Sequence, residues 1–305
     1  MSMQPPYGQD PHDPFNPGPP PAGIPSQRSF ARYPEGSYPI APPVADPLVP
    51  ADLAGWFQRI IDVVRRSLVP LLTIQAGMAV FVVIYQVIVG NATNEFNRSV
   101  QASRGVVPGG VSPDQLSGFF GTLLLGIAVI SLVGAYAAAA SVHVVIRDAA
   151  GESSSVGAAL GFAAGRMLPL IGWGLLVWLL LLVGFVVLIL PGIYLAIVFA
   201  ASFLGVVVVE RGGIGRCFAL VNPRLLPTTG RLLMLWVILG GYSLLIGLIA
   251  AAFGPRSLPA AIIQGVLGIP LGIVGIAATV VIYAELRFHD RPGTLTPTLA
   301  AELNQ

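Results

Sequence analysis

Apolar positions along this chain gather into long blocks from which charge is absent. Charge-free windows cover residues 67–94, 115–146, 167–209, 232–255 and 257–284. A helix needs about 20 apolar residues to cross a hydrocarbon layer about 30 Å thick. Four windows suit one crossing each. The third, 43 residues long, suits two crossings joined by a turn at Pro191-Gly192, because proline removes a backbone donor and breaks a helix. The pattern predicts six spans, at residues 70–90, 118–142, 168–190, 193–209, 232–253 and 261–284. Barrel strands would require alternating segments about ten residues long, and residues 175–190 show no alternation. The expected class is an all-α integral membrane protein with six transmembrane helices.

Between the blocks the period changes to that of an amphipathic helix. Over residues 52–68, Leu53, Trp56, Phe57, Ile60, Ile61, Val64 and Leu68 share one face, and Gln58, Arg59, Asp62, Arg65 and Arg66 line the other. That spacing is the mark of a helix lying in the membrane interface. Residues 212–226 repeat it with Ile214, Cys217, Phe218, Val221 and Leu225, and residues 153–166 repeat it weakly with small residues. Each pair of spans is thus preceded by an amphipathic stretch. Gly165-Arg166-Met167-Leu168 and Gly230-Arg231-Leu232-Leu233 lead into spans three and five in the same way. Three helical hairpins, related as parallel repeats, are expected.

Composition changes near residue 50. The first 50 residues hold 15 of the 27 prolines, and so few apolar residues could not offset the entropy of ordering. Three segments are expected: a disordered Pro-rich tail over 1–49, the six-helix domain over 50–291 and a short C-terminal tail over 292–305. The N-terminus lacks a basic stretch followed by an apolar run, so it does not read as a secretory signal.

Charge sets the orientation. All 16 basic residues are arginine, against 14 acidic ones, for a net charge of +2, too weak a field for nucleic acid. With the N-terminus inside, the inner flanks carry Arg59, Arg65, Arg66, Arg147, Arg166, Arg211, Arg216, Arg224, Arg231, Arg287 and Arg291, against Arg98, Arg104 and Arg256 outside. The bias places both termini in the cytoplasm, with the chain multi-pass in the plasma membrane, and the all-Arg, Ala- and Gly-rich usage resembles that of a high-GC bacterium. The partners it implies are the bilayer and its anionic lipid head groups.

Chemistry is sparse. Without lysine there is no phosphate-loop lysine or Schiff base, and one cysteine with three histidines makes no disulfide frame or Cys/His metal site. No catalytic set or cofactor motif is present, so a non-enzymatic protein is expected. Ionisable groups stay away from mid-span, where they are costly and usually functional. The candidate site is an inner-end polar cluster of His143, Arg147, Glu210, Arg211, Arg216, Glu285 and Arg287, where a transporter or lipid-handling protein would bind a substrate or head group; the expected alternative is a scaffold that recruits partners. In the simplest reading Arg211, Arg287 and Arg147 neutralise span ends at Glu210, Glu285 and His143. Trp56, Phe57, Arg65 and Arg66 are the candidate interfacial anchor. Gly157, Gly161 and Gly165, Gly268 and Gly272, and residues 137–140 are expected to pack helices within the bundle, and Pro270 to kink span six. Asn91 and Asn97 begin acceptor triplets on the outer side, and Pro14, Pro17 and Pro20 give the tail PxxP spacings suited either to a protein partner or to a solvated spacer.

The stretch Leu190-Pro191-Gly192-Ile193-Tyr194, a span ending Val208-Val209-Glu210, then Gly212-Gly213 and the segment 216–221 resemble a bacterial family. That family comprises polytopic proteins grouped with the membrane domain of glycerophosphoryl diester phosphodiesterases and YciC-like proteins. The tail together with the bundle resembles the proline- and glycine-rich transmembrane proteins of mycobacteria and other actinobacteria. An Arg-Ser pair of the family is replaced here by Arg216-Cys217. The resemblance implies a six-helix membrane module without phosphodiesterase activity, which belongs to a separate soluble barrel.

Overall fold

A computed structural model describes residues 46–103, 112–254 and 256–305. The tail expected over 1–49 therefore lies outside the described residues up to position 45, as do Arg104 and the PxxP spacings. The described residues form nine α-helices: α1 Leu53–Arg66, α2 Leu68–Ser103, α3 Pro113–Ala149, α4 Val156–Val187, α5 Ile189–Gly205, α6 Ile214–Val221, α7 Leu225–Ala252, α8 Leu258–Asp290 and α9 Thr296–Leu303. A π-helical turn, Val206–Glu210, extends α5, and a 3-10 turn, Asn222–Arg224, joins α6 to α7. Six of the helical segments are long and apolar enough to cross a membrane. They pair as the hairpins α2–α3, α4–α5 and α7–α8, and α2 also packs along α8. The chain is a multi-pass α-helical membrane protein.

Local signals set the helix starts. The Asp52 carboxylate accepts from the Gly55 N–H at 2.6 Å to begin α1. Ser112 and Gln115 form a capping box that brackets Pro113 at the start of α3, and Ser155 and Ser257 cap α4 and α8. Each cap satisfies a donor that the first helical turn leaves unpaired.

Three boundaries differ from the sequence expectation. The chain breaks at Leu188, which is extended (φ −155°, ψ 134°), and Pro191 lies inside the first turn of α5 instead of forming the turn. A proline ring clashes with the carbonyl four residues back, here Val187, the last residue of α4. Its missing N–H costs nothing in a first turn. Secondly, residues 153–166 do not make a separate interfacial helix, because most of them are the beginning of α4. Thirdly, α2 runs to Ser103 and α3 starts at Pro113, so Asn91 and Asn97 are helical. Charge-free windows mark hydrocarbon; helices continue past it wherever the backbone keeps its own hydrogen bonds.

Burial is concentrated at one end of the bundle. Most buried positions of α3 fall within Ala137–Ile146, those of α5 and its π turn within Ile197–Val209, and those of α8 within Ala277–Phe288. The opposite halves leave Leu124, Leu125, Val186, Leu190 and Leu244 more than 60% exposed. Such a surface suits hydrocarbon. The small-residue expectation holds in part. Ala137, Ala139 and Ala140 are buried and Gly272 meets Gln75, but Gly157, Gly161, Gly165 and Gly268 have no neighbour where a Cβ would stand. Pro270 sits inside α8, which runs on unbroken to Asp290.

The C-terminal segment is part of this packed end. Helix α9 buries Leu299, Ala300 and Leu303 and packs on α3 and the π turn. Its first residue is held by Asp46. One Asp46 oxygen accepts from the Thr296 N–H at 2.8 Å, and the other accepts from the Thr296 hydroxyl at 2.7 Å. That second oxygen also takes the Leu48 and Val49 N–H groups at 2.8 and 3.0 Å. A side chain 250 residues away therefore caps α9, and it draws Leu48 and Val49 into the core.

Candidate functional site

The arginine-rich end carries an ion-pair network centred on Glu210. This residue closes the π turn, and Arg211 after it adopts a left-handed conformation (φ 55°). Single π turns interrupt α-helices frequently at functional positions. Here the extra residue per turn carries Glu210 into contact with α8 and α6. One Glu210 oxygen lies 3.0 Å from both the Tyr283 hydroxyl, which donates to it, and Arg287 Nη1. The other accepts from Arg216 Nε at 2.7 Å. Arg216 also donates to Asp290 at 2.6 Å, and Arg287 donates to Tyr283 at 3.1 Å and to Glu302 of α9 at 2.7 Å. The Arg287 side chain is 2% exposed and the Glu210 side chain 13%.

Close backbone approach makes this geometry reachable. The Tyr283 ring lies over Gly205, where a Cβ would overlap it. Tyr283 and Arg287 stand four residues apart on one face of α8, and so both reach Glu210.

Further polar contacts lie outside this network. Glu285 pairs with Arg231 of α7. Arg147 holds Glu152 at 2.7 Å and donates to Asn304 at 2.9 Å, which fixes the end of α9 to α3. His143 Nδ1 stands 3.3 Å from the Ser154 hydroxyl, and its ring packs at 4.6 Å from Phe162. His143 thus fastens α3 to the loop and start of α4 and takes no part in the Glu210 network.

The expected neutralising pairs are replaced by others. Glu210 uses Arg216 and Arg287, not Arg211. Glu285 uses Arg231, not Arg287. Consecutive or next-but-one residues on a helix point about 100° or 200° apart, so neighbours in sequence seldom face each other. Arg211 is exposed and makes no ion pair among the described residues. Tyr283, Asp290, Glu302 and Asp46 join the site without having been singled out. The Tyr283/Arg287 spacing of four, and Thr296-Pro297 ahead of Leu299 and Leu303, are the signals that pointed to them.

The interfacial anchor splits in two. Trp56 is fully buried against the bundle, in edge contact with Phe57 at 4.9 Å, while Arg65 and Arg66 end α1 exposed. Between α1, α7 and α8 runs an apolar groove of about 340 Å³. Trp56, Phe57, Ile60, Leu235, Ile238 and Val274 line it, and Arg65 is its charged residue. Among the described residues, no three His, Cys, Asp or Glu side chains gather as metal ligands. Comparison with family models, with curated proteins and with solved structures found no match.

Proposed function

We infer that this protein is a non-enzymatic scaffold of the bacterial plasma membrane, with its arginine-rich end and both termini in the cytoplasm and its Pro-rich tail recruiting a protein partner. The observation that carries this reading is the pairing of the Glu210 network and of Glu285 within the chain. Glu210 takes three donors, Arg287 three acceptors, and Glu285 its own arginine. Charges engaged in this way build a rigid platform; a transport site would keep groups free for its cargo. The clamp of Asp46 on Thr296 fixes the root of the tail to that platform. A partner held by the tail would then be tethered beside the membrane, where a local concentration effect strengthens weak contacts. The distribution of arginine supports the orientation, and the resemblance to polytopic bacterial membrane modules agrees with it.

The test is affinity purification from membranes with the full chain and with residues 1–45 removed, the cut placed before Asp46 so that the clamp stays. Loss of a partner on deletion supports recruitment; an unchanged set of partners refutes it.

A lipid-handling role is the second reading, favoured by the apolar groove beside Arg65. Altered membrane lipid content on deletion of the gene, restored by the full chain but not by an Ile60→Asp variant, would favour it over the scaffold.

A further inference from the structure

We propose that Arg166 and Arg211 form a binding site for a phosphate group, carried either by an anionic lipid head group or by a soluble phosphate. The proposal goes beyond the scaffold reading and does not rest on it. Among the described residues four charged side chains belong to buried residues: Asp46, Arg166, Glu285 and Arg287. Three of them are compensated within the chain, Asp46 by Thr296 and two backbone amides, Glu285 by Arg231, and Arg287 by Glu210 and Glu302. Arg166, 8% exposed, is the exception. Among the described residues it has no hydrogen bond or ion pair, and its guanidinium rests 5.2 Å over the ring of Phe162. A guanidinium does not give up its proton, so the charge persists with no acidic side chain paired to it among the described residues. It is open to an anion from outside the chain.

A second cation stands beside it. Arg211 follows the π turn in the left-handed conformation and lies within electrostatic range of Arg166. α4 packs against that turn, and Trp173 of α4 covers Gly213. The adjacent Glu210 is committed to Arg216, Tyr283 and Arg287 and pairs with neither arginine. The nitrogens of Arg166 are not sealed off from the surroundings as the Nε of Arg287 is. Two guanidinium forks within electrostatic range of each other, at the arginine-rich boundary of a membrane protein, suit the oxygens of a phosphate, which accept paired N–H donors. Anionic phosphate is abundant at that boundary.

The experiment uses the full chain in nanodiscs of phosphatidylcholine with and without phosphatidylglycerol, reading the phosphatidylglycerol retained by native mass spectrometry. Arg166→Gln and Arg211→Gln should each lower retention at least about fivefold, and Arg65→Gln should not. Competition by inorganic phosphate would assign a soluble phosphate, and its absence a head group. Because Arg211 is exposed, its variant keeps the fold. Wild-type retention in Arg211→Gln overturns the proposal. So does an equal fall in Arg65→Gln, which would mean a diffuse basic belt, and so does the failure of both probes to bind.

Discussion

Glu210 and Arg287 meet 3.0 Å apart where the π turn after α5 crosses α8, and Arg287 is all but fully buried there. Removing one member of such a pair leaves the other charged and underpaired. The Glu210→Gln variant should lose about 3 kcal/mol of stability, and Arg287→Met a similar amount. Thermal unfolding in detergent measures each variant. A double-mutant cycle should return a coupling of about 1–3 kcal/mol; additive losses would show that the two do not act together.

Asp46 offers a second test. Asp46→Ala removes a buried carboxylate that takes three backbone amides and one hydroxyl. The expected cost is about 3 kcal/mol, with α9 released first because its N-terminus has no other side-chain cap. Limited proteolysis should then cut within residues 292–305 far sooner than in the parent chain. Unchanged protection would mean that Leu299 and Leu303 hold α9 without the clamp.

Two glycines should respond with opposite signs. Gly205→Ala drives a methyl into the Tyr283 ring and should destabilise by about 1–3 kcal/mol. Gly161→Ala points into open space within α4 and should gain up to about 1 kcal/mol in helix propensity. Melting curves of the two variants, recorded side by side, decide this. Loss of stability in Gly161→Ala would mean that another molecule covers that face.

Cys217 is fully buried, so a maleimide should react with it only on unfolding, whichever side the reagent is on. Orientation is better read from exposed positions in a Cys217→Ala background. Ser153→Cys should be protected in intact cells and labelled in inverted vesicles, and Ser117→Cys should behave the other way round. The reverse pattern would place the arginine-rich end outside.

Much of the fold was legible because a membrane makes sequence signals local. A segment crossing hydrocarbon must satisfy its own backbone and expose apolar side chains, so α2, α3, α4, α5, α7 and α8 announce themselves as runs without charge. The helix α1 could be read from its period, and its cap from Asp52. The residues of the polar end were also legible in kind, because charges are driven to span ends. Their pairing was not. Glu210 passes over its neighbour Arg211 for Arg287, and Glu285 passes over Arg287 for Arg231, since direction around a helix, not distance in sequence, selects partners.

The sequence alone determined the six apolar helices, their grouping as three hairpins and the collection of arginine at one end, because hydrogen bonding and hydration act residue by residue. Only the tertiary structure decided that Trp56 turns inward, that α9 closes the packed end under a cap from Asp46, and that Arg166 is left without a partner among the described residues. Those outcomes depend on contacts between segments up to 250 residues apart, and no local pattern encodes which of several chemically equal groups will come face to face.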